Sequence, residues 1–105
     1  VVYRRDALLA VGGFRLELAW HADWFANLVL GFSHGACYVP DVLAYFRVKP
    51  GSYSWTGARD RAGQRQLLHD VIDLLRTEFP DVYRHFRDSA LVLDRPRILY
   101  DLERA

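Results

Sequence analysis

Methionine is absent from all 105 residues, and cysteine occurs once, at Cys37. A single thiol excludes an intramolecular disulfide and any cysteine-based metal site, and it fits a reducing compartment. Cys37 itself reads as a small core residue in a strand. The four histidines, His21, His34, His69 and His85, show no HExxH or other metal-ligand spacing, so no metal is expected to be held by this stretch alone. No apolar run approaches the roughly 20 residues that span a bilayer, and the opening VVYRRDALLAVGG has no signal-peptide layout. The chain is therefore expected to carry no transmembrane segment. Charge of one sign is not in excess: 14 basic and 13 acidic residues leave a net charge of +1, which gives no general attraction to nucleic acid or anionic membrane. Repeats, low-complexity tracts, flexible linkers and a Ser-His-Asp pattern are also lacking. With no initiating Met and a start inside the β-like run VVYRR, the expectation is a fragment whose amino-terminal portion lies elsewhere.

What is present is globular in character. Hydrophobic residues make up 51% and charged ones 26%, enough for one core, though the length is short for an enzyme that binds two substrates. The most informative stretch is WHADWFANLVLGFSHG, residues 20–35. Trp24, Phe25, Leu28, Val29 and Phe32 fall at helical spacing and form one apolar face. Gly31 and Gly35 stand where glycine stops a helix. Asp23 stands at the other end, where a carboxylate meets unpaired backbone N–H groups and the positive end of the helix dipole. Asp23 is accordingly a helix cap, or a carboxylate held at a site mouth to accept a proton.

The rest of the chain reads as short strands followed by helices. VVYR at residues 1–4 is strand-like. RRDALLAVGGF follows as a short helix with Asp6 in its first turn and a glycine stop at Gly12 and Gly13, against which Phe14 tucks back. RLELAW is read as a loop. ACYVP reads as a strand ending at Pro40. DVLAYFRV reads as a second strand, with Val42, Ala44 and Phe46 alternating with Leu43, Tyr45 and Arg47, mostly apolar on both faces and so covered on both sides. The turn PGSYS comes next. From Gly57 the composition shifts to a long helix with Leu67, Leu68, Val71, Ile72, Leu74, Leu75 and Phe79 on its stripe. Pro80 ends that helix and starts another carrying Val82, Tyr83, Phe86 and Leu91, and DRPRILYDLERA reads as one helix more.

Three of these segments in order, VVYRRDALLAVGGF, HADWFANLVLGFSHG and CYVPDVLAYFRVKPGSYS, resemble the carboxy-terminal part of the catalytic domain of family 2 glycosyltransferases. The likeness covers residues 1 to about 54. It rests on a run similar to RRxALxxVGGF, an acidic motif ending in Asp at a helix head, a strand ending Tyr-Val-Pro, and an aromatic-Arg-x-x-x-x-Ser segment. The family implies a GT-A fold, so the expected class is mixed, helix-rich α/β. Residues 1–56 would form the acceptor-side portion of the transferase domain and residues 57–105 a helical extension packed on it. The resemblance makes Asp23 the catalytic base of an inverting transfer and places Arg47 near the donor diphosphate, where a guanidinium matches phosphate oxygens. The acidic neighbour usual before the Asp is Ala22 here, and a His usual two residues after the arginine is Lys49. The DxD motif that binds Mg or Mn and the nucleotide diphosphate is not in these residues, and the processive-enzyme motif similar to QxxRW is not matched by QRQLL.

The expected partners are thus a nucleotide-sugar donor, a hydroxyl acceptor and the missing amino-terminal half. The divalent metal would be bound outside this chain, the setting cytoplasmic, with membrane association through parts outside this chain as the alternative, and the isolated piece inactive. Trp20, His21 and Trp24 flank Asp23 as candidate acceptor contacts, with core packing as the other reading of both tryptophans and solvation that of His21. Arg47 has a structural ion pair with Asp41 as its other reading. Lys49 and Ser52 complete the candidate substrate contacts, and Ser52, Tyr53 and Ser54 form a loop over the site or an ordinary turn. Two further identities stay open on residues alone: a non-catalytic sugar- or protein-binding module, and a plain helical interaction domain.

Overall fold

A computed structural model describes residues 1–89. Five helices and one 3-10 segment make up the regular structure of these residues: α1 Arg5–Ala10, the 3-10 segment Leu16–His21, α2 Ala22–His34, α3 Tyr53–Gly57, α4 Arg61–Glu78 and α5 Pro80–Asp88. The final helix expected over DRPRILYDLERA, and Leu91, lie outside the described residues.

The helix boundaries follow local chemistry. At the end of α1, Gly13 N–H donates to Leu8 O at 2.9 Å and Gly12 N–H to Leu9 O at 3.1 Å. That doubled closure requires a left-handed residue, supplied by Gly12 at φ 91°. Asp60 caps α4, its Oδ1 accepting from Gly63 N–H at 3.0 Å. Pro80 occupies the first turn of α5, where its missing N–H costs nothing. RLELAW is no plain loop: Leu16–His21 winds as a 3-10 segment broken at Ala19, whose φ of 48° and ψ of −120° are unusual for a residue with a Cβ.

The core gathers Leu18, Phe25, Leu28, Val29, Val71, Leu75, Val82 and Phe86 from the 3-10 segment, α2, α4 and α5. Phe25 meets Phe79 edge-on at 6.0 Å, and Trp24 meets Phe86 at 6.2 Å. Burying each such side chain stabilises by roughly 1.5–3 kcal/mol, whereas exposed ion pairs contribute about 0–1 kcal/mol. Helix packing, not charge pairing, therefore holds the fold.

The mixed α/β expectation is overturned, because no strand forms among the described residues. Val1 and Val2 are 94% and 97% exposed, and ACYVP and DVLAYFRV carry neither helix nor ladder. Every residue from 35 to 51 is exposed, so the second run is bare on both sides and not covered. Cys37 is exposed as well, not a core residue. The physical reason is that β-branched and aromatic composition reports fitness for a pleated, half-buried surface. A strand also needs a neighbour for its N–H and C=O groups, and no described segment forms a ladder with these runs. With no sheet, the GT-A-like arrangement is not the architecture of these residues.

One ion pair ties the two ends of the helical body. Arg15 pairs with Glu78 through both guanidinium Nη atoms, one of them at 3.3 Å, and this hydrogen bond and charge hold the Glu78 carboxyl below the ordinary glutamate range. A lowered folded-state pKa means that the pair stabilises above the unfolded value, about 4.3, and that this stabilisation is lost as pH falls through the lowered one. Glu78 is 42% exposed, so solvent screening keeps the contribution within about 1 kcal/mol. Glu78→Gln is expected to flatten that part of the acid limb below about pH 4.5. Urea unfolding at stepped pH checks it, and an acid limb identical to wild type would refute it.

Candidate functional site

Asp23 is the second residue of α2, not its cap; His21 stands at the cap position without a capping side-chain bond. The Asp23 carboxylate nevertheless serves the helix end, since Oδ1 accepts from Trp24 N–H at 2.7 Å. The side chain is exposed, and no cation pairs with it among the described residues. Its second oxygen is left without a hydrogen-bond partner among those residues.

Asp23 borders an open groove of about 350 Å³, lined also by Phe14, Trp20, Tyr53 and Ser54, with Ala19 and Ala22. The walls come from distant parts of the chain. Trp20 is delivered by the broken 3-10 segment and Tyr53 by α3, and the two rings meet edge-on at 5.9 Å. Nearby, the Tyr3 hydroxyl donates to Asn27 Oδ1 at 2.8 Å, and Tyr3 meets Phe14 edge-on at 5.6 Å. Burial, and then the charge of Asp23, push the Tyr3 phenol up. The groove is therefore aromatic on its walls with one carboxylate at its edge.

Behind the groove lies a buried polar relay. His21 is 2% and Gln64 6% exposed. His21 Nε2 lies 2.6 Å from Gln64 Oε1, and Gln64 Nε2 donates to Gly57 O at 3.1 Å. That carbonyl fixes the amide orientation, so Gln64 Oε1 is an acceptor and His21 must carry its proton on Nε2. Gln64 thus joins the end of the 3-10 segment to the end of α3, the elements that carry Trp20 and Tyr53.

Gly57 matters sterically. A Cβ built there would fall within 2.7 Å of Trp20 Cδ2, Cε3 and Cε2, so the indole lies on bare backbone. Trp20 Nε1 is itself buried without a hydrogen-bond partner among the described residues. Gly57→Ala is expected to displace the Trp20 ring and destabilise by about 1–3 kcal/mol. Thermal unfolding followed with tryptophan fluorescence checks it, an unchanged melting point and emission maximum being the contrary result.

Of the residues singled out in the sequence, the structure brings Trp20 and Asp23 to the groove. His21 is neither solvated nor at the groove but buried against Gln64. Trp24 is half-buried and packs on Phe86. Ser52 is the cap of α3, its Oγ accepting from Trp55 N–H at 3.4 Å. Arg47 and Lys49 sit in the exposed run away from the groove lining, and Arg47 makes no ion pair with Asp41. Among the described residues no three His, Cys, Asp or Glu side chains come together as a metal would need. No described helix is long and apolar enough to cross a membrane. Tyr53 and Ser54, read as a loop over the site or an ordinary turn, do line the groove, whereas Phe14 and Gln64 were not foreseen at or behind it. Gln64 had a signal, since it stands three, four and seven residues before Leu67, Leu68 and Val71 on the buried face of α4. No protein-family description, curated protein or solved structure matches the chain.

Proposed function

We propose that these residues supply the acceptor side of an inverting glycosyl transfer, with Asp23 as general base. The observation that carries the reading is an unpaired carboxylate, fixed by a helix end, at the edge of an aromatic-walled groove. Asp23 Oδ1 is anchored by Trp24 N–H, so the second oxygen is the one offered to an acceptor hydroxyl. It takes the hydroxyl proton as the oxygen attacks the sugar carbon, and the nucleotide diphosphate leaves from the opposite face. Trp20 and Tyr53 offer ring faces and edges to the apolar patches of a sugar. The donor-binding part and its divalent metal belong to a polypeptide portion beyond these residues, in a cytoplasmic setting. The test is Asp23→Asn in the full-length polypeptide, assayed for transfer from a panel of nucleotide-sugars; wild-type rates would overturn the assignment.

A second reading has its own support. Arg47, Lys49 and Ser52 stand apart from the groove, which leaves its lining without a cation for a diphosphate. A non-catalytic sugar-binding module needs none. In that case Trp20→Ala abolishes glycan binding while Asp23→Asn leaves it unchanged.

A further inference from the structure

The run from Asp41 to Lys49 is the largest feature that the groove does not use. It is bounded by Pro40 and Pro50, carries no helix or ladder, and is exposed throughout. Val42, Leu43, Tyr45 and Phe46 are 78%, 77%, 94% and 85% exposed. No hydrogen bond ties residues 41–48 to the rest of the described chain. Such a row of unmet N–H and C=O groups, flanked by β-branched and aromatic side chains, is a template for strand pairing. Its two faces are unequal. Val42, Ala44, Phe46 and Val48 make one side wholly apolar, whereas Asp41, Arg47 and Lys49 join Leu43 and Tyr45 on the other. One apolar and one wet face is the pattern of an antiparallel ribbon, not of a strand buried on both sides.

We propose that this run pairs antiparallel with the same run of a second copy of the chain, about a twofold axis through Tyr45. In that register Asp41 faces Lys49 of the other copy at both ends, Val42 faces Val48 and Ala44 faces Phe46. Leu43 lies against the aliphatic stem of Arg47. The two prolines, which cannot donate to a ladder, fall opposite each other just outside it. Shifting the register to centre on Ala44 brings Pro40 into the ladder and shortens the proline-free pairing, so the Tyr45 register is the one the run favours. Two copies then present a single surface of eight apolar side chains for their helical bodies to cover, and the charges of each copy are complementary to its own mirror order. The inference is independent of the glycosyl-transfer reading, because it needs neither Asp23 nor the groove.

Sedimentation velocity of the 105-residue chain with Cys37→Ser, from roughly 1 µM to 1 mM, spans the weak affinities expected of a two-stranded ribbon. A monomer–dimer equilibrium is expected. Asp41→Lys turns two attractive pairs into two repulsive ones and weakens the dimer about tenfold. Adding Lys49→Asp to Asp41→Lys restores it to within about threefold. In the Cys37→Ser background, Tyr45→Cys places two sulfurs across the axis and cross-links under mild oxidation, faster than Ala44→Cys, because directly opposed residues stand about 4.5–5.5 Å apart. A chain that stays monomeric throughout overturns the proposal and leaves a different occupant for the run. Failure of the charge swap to restore association, or faster cross-linking at Ala44→Cys, overturns it too. All substituted side chains are exposed, and unchanged helical circular dichroism separates lost association from lost folding.

Discussion

Asp23→Asn is expected to lower the glycosyl transfer proposed for this site by two to four powers of ten, which is about 3–5.5 kcal/mol of transition-state stabilisation. The amide keeps the size of the carboxylate and still offers Oδ1 to Trp24 N–H, so the contact seen at 2.7 Å survives. What it loses is the ability to take a proton from the acceptor. A base lost with its geometry intact acts on kcat and leaves KM little changed. A carboxylate that only serves a helix end behaves differently: its replacement by Asn keeps an Oδ1 for Trp24 N–H and loses only the charge–dipole attraction of the first turn, roughly 0.3–1 kcal/mol. The two roles therefore differ by orders of magnitude in rate and scarcely at all in melting temperature. Asp23→Ala supplies the complementary control, since it removes both the proton acceptor and the helix contact and adds a stability loss of roughly 0.5–1 kcal/mol. Equal kcat in wild type and Asp23→Asn would reduce the residue to its helix contact.

Helices were legible because helical burial is written locally. The spacing of Phe25, Leu28 and Val29 recurs as the buried face of α2, and Leu67, Leu68, Val71 and Leu75 as that of α4. Glycine and proline punctuation placed the ends of α1 and the start of α5. The runs at 36–39 and 42–48 misled because strand propensity is conditional on a neighbour that the same residues do not specify. The groove was half legible. Trp20 and Asp23 are close in sequence and share it, and Tyr53 and Ser54 read as a loop over the site or a turn, but Phe14 reaches it only through tertiary packing. His21 illustrates the difficulty best. Set among polar and aromatic neighbours it reads as a surface ligand, yet a partner 43 residues away makes its burial tolerable. A polar residue on the inner stripe of α4 was the clue, and it was hidden in the charged run RDRAGQRQ.

Gln64→Leu, the change that removes this partner, is expected to destabilise the fold by about 2–4 kcal/mol. Leucine is apolar and similar in length, so the loss does not come from a cavity. It comes from the buried His21 Nε2–H, whose Gln64 acceptor is gone, and from the Gly57 carbonyl, which loses one of its two donors and keeps only Asp60 N–H at 3.2 Å. The unmet N–H costs roughly 1–3 kcal/mol and the bond lost at Gly57 about 0.5–1.5 kcal/mol, and burying the leucine side chain offsets only part of the sum. For a domain of this size each kcal/mol shifts the melting point by about 4–8 °C, so a fall of roughly 10–25 °C is expected by circular dichroism. A double-mutant cycle separates the relay from mere packing. If His21 and Gln64 act as one unit, His21→Leu made in the Gln64→Leu background costs less than His21→Leu alone, because the unmet imidazole N–H has been removed with its ring. Additive losses would show that the two residues pack independently. The same relay sets the groove, since Gln64 joins the segment bearing Trp20 to the helix bearing Tyr53. Below its melting point Gln64→Leu should therefore weaken the sugar binding proposed for the groove, through KM or Kd, while Asp23, anchored by its own helix, keeps the role proposed for it.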